Sequence, residues 1–247
     1  MEIIKVGGSV ITDKGGFERA RPHAIAFIAA EIAKRQKKGK GYAVVLGAGS
    51  FAHPHVLRYG LHGKNQSAKR LEGVRHINRS VSALASMFAR ALEANGVKAK
   101  FLPACVFGRA TKGRLDYFDA HRALEAVRLK IVPITIGDMV PDSALGFSAI
   151  SGDQIVRCLG AGAKRAVLLS DVPGVLVGGK VVALITKKSI GKITDYLGGS
   201  EKTDVTGGME GKVRQLLEMP VPSVIVGMEN FGKVLDGKKA VCTRIMP

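Results

Sequence analysis

An open, mainly parallel β-sheet covered by helices on both faces, a three-layer αβα sandwich, is the α/β fold class that this sequence of 247 residues predicts. Three observations lead there. Short apolar runs closed by glycine, such as Ile3-Ile4-Lys5-Val6 before Gly7-Gly8 and Tyr42-Ala43-Val44-Val45-Leu46 before Gly47, read as buried strands. Between such runs, apolar residues recur at helical spacing. Strand and helix then alternate, the order that yields parallel strands joined by helical crossovers. No repeat, low-complexity tract or linker interrupts the pattern, which predicts a single domain over 1–247 with two lobes, 1–150 and 151–247.

In chain order, the first strand ends at Gly7-Gly8-Ser9. Ile25, Ile28 and Ile32 predict a helix over 22–38 that Gly39 terminates. The second strand, 42–46, runs straight into Gly47-Ala48-Gly49-Ser50-Phe51-Ala52-His53. Ile77, Val81, Leu84, Phe88 and Leu92 share one face of a long helix ending near Gly96, and a strand begins at 99–102. Residues 105–118 read as an irregular hairpin and 120–128 as a helix. A strand over 131–136 ends at Gly137-Asp138, with Pro133 arguing against a central position. A hairpin over 139–150 precedes Ser151-Gly152-Asp153, which opens a helix. Strand 167–169, the turn Ser170 to Gly174, a hairpin through Gly178-Gly179 and a polar loop to about Thr203 follow. A helix after Gly207-Gly208 and strands near Val224 and Val241 close the chain.

The composition excludes several classes. Cys105, Cys158 and Cys242 are odd in number, far apart and without a C-x-x-C pair, so they predict small core residues rather than disulfides or a zinc site. No metal-ligand cluster stands out. With Glu2 near its start and no long apolar run, the chain offers neither a signal peptide nor a membrane span, and a cytoplasmic protein is expected. The formal net charge of +18 implies attraction for anions without choosing among nucleotides, phosphate esters, nucleic acid or acidic membranes. Much of it lies between residues 19 and 130, including the run Lys34 to Lys40, read as the solvated end of a helix whose dipole suits cations.

Lys5 sits in an apolar strand, and burying it requires an anion. With Lys14 beyond the glycine turn it outlines a phosphate site, although the same residues also describe a plain turn edged by solvated lysines. In parallel sheets ligands bind beyond the carboxyl ends of the strands. The glycine turns at 7–9, 47–49, 137–138 and 207–208 are therefore candidates for one cleft. Gly47-x-Gly49-x-x-Ala52 matches the dinucleotide pattern, but the acid expected about 20 residues on is replaced by a basic stretch containing only Glu72. No Walker-type loop occurs either.

Lys5-Val-Gly-Gly-Ser9, Ser151-Gly-Asp153, Ser170-Asp171-Val-Pro-Gly174 and Asp204-Val-Thr-Gly-Gly208-Met-Glu-Gly-Lys212 together resemble the amino acid kinase superfamily, in order along the chain. Ile11-Thr12-Asp13-Lys14 and Gly49-Ser50-Phe51-Ala52-His53 resemble the isopentenyl phosphate kinases of the archaeal mevalonate pathway. The resemblance implies the amino acid kinase fold, with an acceptor lobe (1–150) and a nucleotide lobe (151–247), and transfer of the γ-phosphoryl group of ATP to isopentenyl phosphate. It implies catalytic roles for Lys5, Lys14, His53, Asp153 and Lys212. Acceptor contacts fall to Gly8, Ser9, Gly47, Ala48, Gly49, His53 and Gly152. Nucleotide contacts fall to Lys5, Gly7, Ser170, Asp171, Gly174, Gly207, Gly208 and Lys212. Asp153 would hold lysines in position, and Mg2+ would arrive with ATP. A homodimer through the 71–95 helix is also implied.

The chemistry suits these residue types, since phosphoryl transfer needs positioned positive charge and a phosphate acceptor is already ionised. Singly, His53 also reads as a surface residue at a helix start, Asp153 as a cap and Lys212 as a solvated lysine. Leu46, Ala48 and Ala52 depart from the usual H-G-G-G-S-F-G-H and put acceptor preference in question. Uridylate or aminomethylfuran phosphate are the alternative acceptors. His23, His55, His62, His76 and His121 carry no motif and are expected to be structural, and Met87 and Phe88 read as core or pocket lining. A nucleic-acid-binding protein is the remaining class, disfavoured by an aromatic content of 5% and the lack of a stacking motif.

Overall fold

The computed structural model describes residues 1–61, 67–191 and 208–247. The end of the predicted polar loop (192–203), the Asp204 end of the last motif, Gly207 and His62 lie outside the described residues, whereas the described part of that loop forms a strand at Leu184–Thr186. The strands are β1 Glu2–Val6, β2 Tyr42–Leu46, β3 Ala99–Phe101, β4 Gly108–Thr111, β5 Arg114–Phe118, β6 Val132–Ile136, β7 Asp138–Asp142, β8 Gly146–Ile150, β9 Ala166–Ser170, β10 Leu176–Val177, β11 Lys180–Val181, β12 Leu184–Thr186, β13 Ser223–Gly227 and β14 Thr243–Met246. The helices are α1 Gly8–Ile11, α2 Pro22–Gln36, α3 His53–Arg58, α4 Ala68–Ala94, α5 Ala104–Phe107, α6 Ala120–Arg128, α7 Gly152–Gly160, α8 Gly208–Leu217 and α9 Met228–Leu235. A 3-10 turn spans Gly49–Phe51.

Eight strands form the main sheet in the order β12-β14-β13-β9-β1-β2-β6-β3. All its neighbours are parallel except β13 and β14. A second sheet, β5-β4-β7-β8, stands beside the end of β6. The period-2 alternation of β1 sorts its side chains between two cores. Ile4 and Val6 join residues of α2, α4 and α9 on one face, whereas Ile3 joins Val45, Leu168 and residues of α6, α7 and α8 on the other. Lys5 therefore emerges on the Ile3 face, under α7. β1 lies in the middle of the sheet, hydrogen-bonded to β2 on one side and β9 on the other, so residues 1–150 and 151–247 contribute to one sheet.

Several expectations change in detail. Pro133 lies inside the sheet, with β2 on one side and β3 on the other. It is tolerated because Val132 and Ile134 bond toward β3, while Pro133 faces β2 at a level where that ladder has not begun; the β2 register starts at Ile134. The 105–118 hairpin is preceded by the short helix α5 and carries a register shift between Arg109 and Ala110. The last strand starts at Thr243 rather than near Val241, which is exposed. The helix α9 was not foreseen.

The basic run 34–40 is only partly solvated. Arg35 is 3% exposed and forms a fork with Asp236 (2.8 and 2.7 Å), a pair with Glu31 at 3.0 Å and a bond to the carbonyl of Gly232. Its position on α2 faces α9 rather than water, which sequence spacing alone did not show. The three cysteines are partly buried, with Cys158 and Cys242 at the margins of the two cores. Phe88 is wholly buried core, and Met87 is exposed.

Candidate active site

Three of the four glycine turns predicted to share a cleft meet at the carboxyl ends of β1, β2 and β6. A Cβ on Gly8 would lie 2.6 Å from the backbone N of Gly49, and one on Gly47 would lie 2.5 Å from the N of Gly8. Backbone is thus packed on backbone, a contact that only glycine permits. Gly49 has φ +51, and a Cβ there would fall 2.0 Å from Thr12 Oγ1. Thr12 is the fastener: its hydroxyl donates to the carbonyl of Gly8 at 2.8 Å and accepts the N–H of Ser50 at 3.1 Å. It belongs to the I-T-D-K element, yet no role was predicted for it. The third turn joins through Gly137, whose N–H reaches the carbonyl of Leu46 at 3.1 Å, and through Gly152, where a Cβ would lie 3.1 Å from that same carbonyl.

Lys5 and Asp153 come together on this floor. Lys5 Nζ is 3.0 Å from Asp153 Oδ1, with side chains 8% and 15% exposed. Asp153 is in the first turn of α7, whose start is pressed onto the end of β2 by Gly152. The contact is ionic rather than a well-directed hydrogen bond, for Oδ1 has no hydrogen-bond partner among the described residues. The Lys5 ammonium thus retains donors for a further anion.

Lys14 is held elsewhere, 2.9 Å from Asp171 Oδ2 in an exposed pair that bridges the two halves of the chain. Burial opposes ionisation of Asp171, but the hydrogen bond and charge of Lys14 hold its carboxyl below the usual range. Ser170 Oγ donates to Asp171 Oδ1 at 3.3 Å, and the Ser9 carbonyl accepts from Arg21 at 3.1 Å. Gly7 donates to the carbonyl of Leu169 at 2.9 Å, bringing the first turn beside the end of β9. Gly174 is needed for closeness, since a Cβ would lie 2.6 Å from Thr243 Oγ1.

His53 is exposed at the first position of α3. Lys212 is half-buried on α8, which begins at Gly208 and packs on α7, with Val213 fully buried beneath it. The departures at Leu46, Ala48 and Ala52 are locally benign. Leu46 is wholly buried in the α2/α4 core, and Ala48 and Ala52 have φ −71° and −128°, which any L-residue adopts. At the foot of the second sheet, burial raises the Asp138 carboxyl although the N–H groups of Cys105 (3.1 Å) and Met139 (2.9 Å) donate to it. Burial beside that acid pushes the Cys105 thiol up to about 12, which removes it from nucleophilic chemistry.

The chain as a whole is similar to known proteins. A model described as the amino acid kinase family matches residues 1–225. An isopentenyl phosphate kinase of Haloferax volcanii is 35% identical to this chain, covering 96% of it and 95% of the relative. One from Methanothermobacter thermautotrophicus is 34% identical, covering 99% and 98%. A solved isopentenyl phosphate kinase superposes with a TM-score of 0.83 at 30% identity, with 100% of both chains covered. An aspartate kinase from Synechocystis shares the fold with a TM-score of 0.69 at 16% identity, over 40% of its own chain.

Proposed function

The chain belongs to the amino acid kinase family, and from that premise we propose that it transfers the γ-phosphoryl group of ATP to isopentenyl phosphate, giving isopentenyl diphosphate and ADP. One observation carries this reading: the Gly8, Gly47 and Gly49 backbones are packed together beside a buried lysine whose carboxylate partner leaves donors unused. Such a floor suits phosphate oxygens, which take backbone N–H groups and ammonium donors alike.

The acceptor phosphate is its own nucleophile. An oxygen of isopentenyl phosphate attacks the γ-phosphorus, the bond to the β-bridging oxygen breaks, and ADP leaves with that oxygen's electron pair. No general base is required, so Asp153 acts by fixing Lys5. Lys5 neutralises the transferring group from the floor of the sheet. Lys14, once released from Asp171, supplies charge from the opposite wall, and Lys212 reaches it from α8. His53 at the mouth of the acceptor loop donates to the acceptor phosphate, with Gly8, Ser9, Gly47, Ala48, Gly49 and Gly152 around it. Gly7, Ser170, Asp171, Gly174 and Gly208 line the nucleotide side.

Mg2+ arrives on the phosphates of ATP and keeps most of its waters, because the carboxylates facing the cleft, Asp153 and Asp171, are each paired with a lysine. A homodimer through α4 accords with its exposed Leu71 and Met87. Among the described residues no helix is long and apolar enough to cross a membrane, and we place the enzyme in the cytoplasm, in an archaeal type of isoprenoid synthesis.

An ADP-release assay over a panel of acceptors is the test. Isopentenyl phosphate should be turned over well above ATP hydrolysis, and His53→Ala should lower kcat/KM for it by about 10–100-fold while the protein stays folded. Turnover of uridylate or aminomethylfuran phosphate in its place overturns the assignment.

A further inference from the structure

Beside the acceptor loop, three side chains that the phosphoryl-transfer reading does not use converge on one point. Glu18, His55 and His76 each offer a ligand atom, and these atoms lie within 4.8 Å of one another. His55 Nε2 is 2.6 Å from Glu18 Oε1, and His76 Nε2 is 3.2 Å from the same oxygen. The imidazole rings are 4.2 Å apart between centroids, and Phe17 closes the far side of His55 edge-on at 4.5 Å. The three residues come from three elements: the loop before α2, the start of α3 and the third turn of α4.

Two observations go beyond an ordinary hydrogen-bonded cluster. His55 is wholly buried, yet among the described residues its Nδ1 has no partner, so the bond to Glu18 leaves half of its polar capacity unmet. Glu18 has φ +51, a left-handed backbone that costs a glutamate energy and here aims its carboxylate between the two rings, anchored by a bond from its N–H to the carbonyl of Ser50 at 3.2 Å.

We propose that Glu18, His55 and His76 form a binding site for a divalent transition-metal ion of the zinc class. Two imidazole nitrogens and one carboxylate oxygen suit Zn2+ or Co2+ and not Mg2+, which demands oxygen ligands in octahedral array. His76 and Glu18 are 41% and 34% exposed, so the fourth position opens to water and the ion can enter. The bound ion clasps the loop that carries Lys14 to the helix that begins with His53, and its role is to position them. The inference stands on these side chains alone and holds whichever acceptor the cleft takes.

The experiment uses the full chain, freed of metal by chelator and without nucleotide, so that no phosphate carries an ion in. Co2+ is followed by its ligand-field absorption and Zn2+ by thermal unfolding. At Zn2+ about 100-fold above Kd, Tm should rise by about 5–10 °C. His76→Ala, at an accessible position, and Glu18→Gln should each weaken Zn2+ binding by at least about 10-fold and abolish the tetrahedral Co2+ spectrum. A wild-type chain with neither shift nor spectrum overturns the site. So do variants that bind like wild type, and an equal rise in Tm with Mg2+ overturns the metal class.

Discussion

Replacing Asp153 by asparagine tests whether charge holds Lys5 in place. At 3.0 Å and an effective dielectric of about 20, the attraction is about 5–6 kcal/mol, set against a desolvation cost of several kcal/mol per ion. The intact pair is therefore close to neutral in stability. Removing the carboxylate is not, because it strands an ammonium under α7 with its side chain 8% exposed, and breaking a buried pair costs about 3–5 kcal/mol. Asparagine keeps one oxygen in place, which brings the expected loss to about 3 kcal/mol. Urea titration should report it as a lower midpoint at unchanged slope. Adding Lys5→Met removes the stranded charge and should return at least about 1 kcal/mol, so the two changes do not add. Activity should not return, since methionine offers nothing to a phosphate, and kcat in the double variant should stay about 10²–10³-fold down. Asp153→Asn within about 0.5 kcal/mol of wild type, or two costs that simply sum, would refute the reasoning.

Lys14→Ala should lower kcat by about 10²–10³-fold while moving the urea midpoint little, because its pair with Asp171 is exposed; steady-state kinetics beside unfolding separates the two. Gly8→Ala drives a Cβ into the backbone of Gly49, and opening that contact should cost about 1–3 kcal/mol and at least about 10²-fold in kcat, read from the same assays. Asp142→Asn removes an acceptor for the N–H groups of Lys112, Gly113, Ala144 and Leu145 and for Ser148, and should cost about 1–3 kcal/mol at pH 7. Those donors hold the wild-type carboxyl well below its usual range although burial opposes it. Its stabilisation is therefore full above pH about 3.8 and lost as pH falls below that, so the gap between the two unfolding curves should narrow in acid.

Strands closed by glycine were legible because burial on both faces leaves an apolar run with a clean end, and β2 falls on residues 42–46 as expected. The helix α9 was not, since it starts at Met228 after Gly227 with no side-chain cap to announce it. Lys5 was singled out by the cost of burying it, and Asp153 by a motif. Their meeting depends on α7 lying on the Ile3 face of the sheet, a tertiary fact that no local pattern encodes. The pairing of Lys14 with Asp171, 157 residues apart in sequence, was equally hidden. Thr12 passed unnoticed because threonine beside a strand is ordinary; only the glycine backbones it fastens give it a role. The Glu18, His55 and His76 cluster draws on three distant segments and leaves no spacing signature.

Arg35 ties the first long helix to the last, for its guanidinium grips Asp236 and the carbonyl of Gly232 from 201 and 197 residues away. Together with β1, which is flanked by strands from both lobes, this makes the N-terminal half an incomplete object. Cut free at residue 150, it would expose a raw sheet edge along β1 and the Arg35 side of α2 that α9 covers. Residues 1–150 and 151–247 thus form one cooperative unit, and calorimetry should record a single melting transition with a calorimetric enthalpy equal to the van't Hoff value.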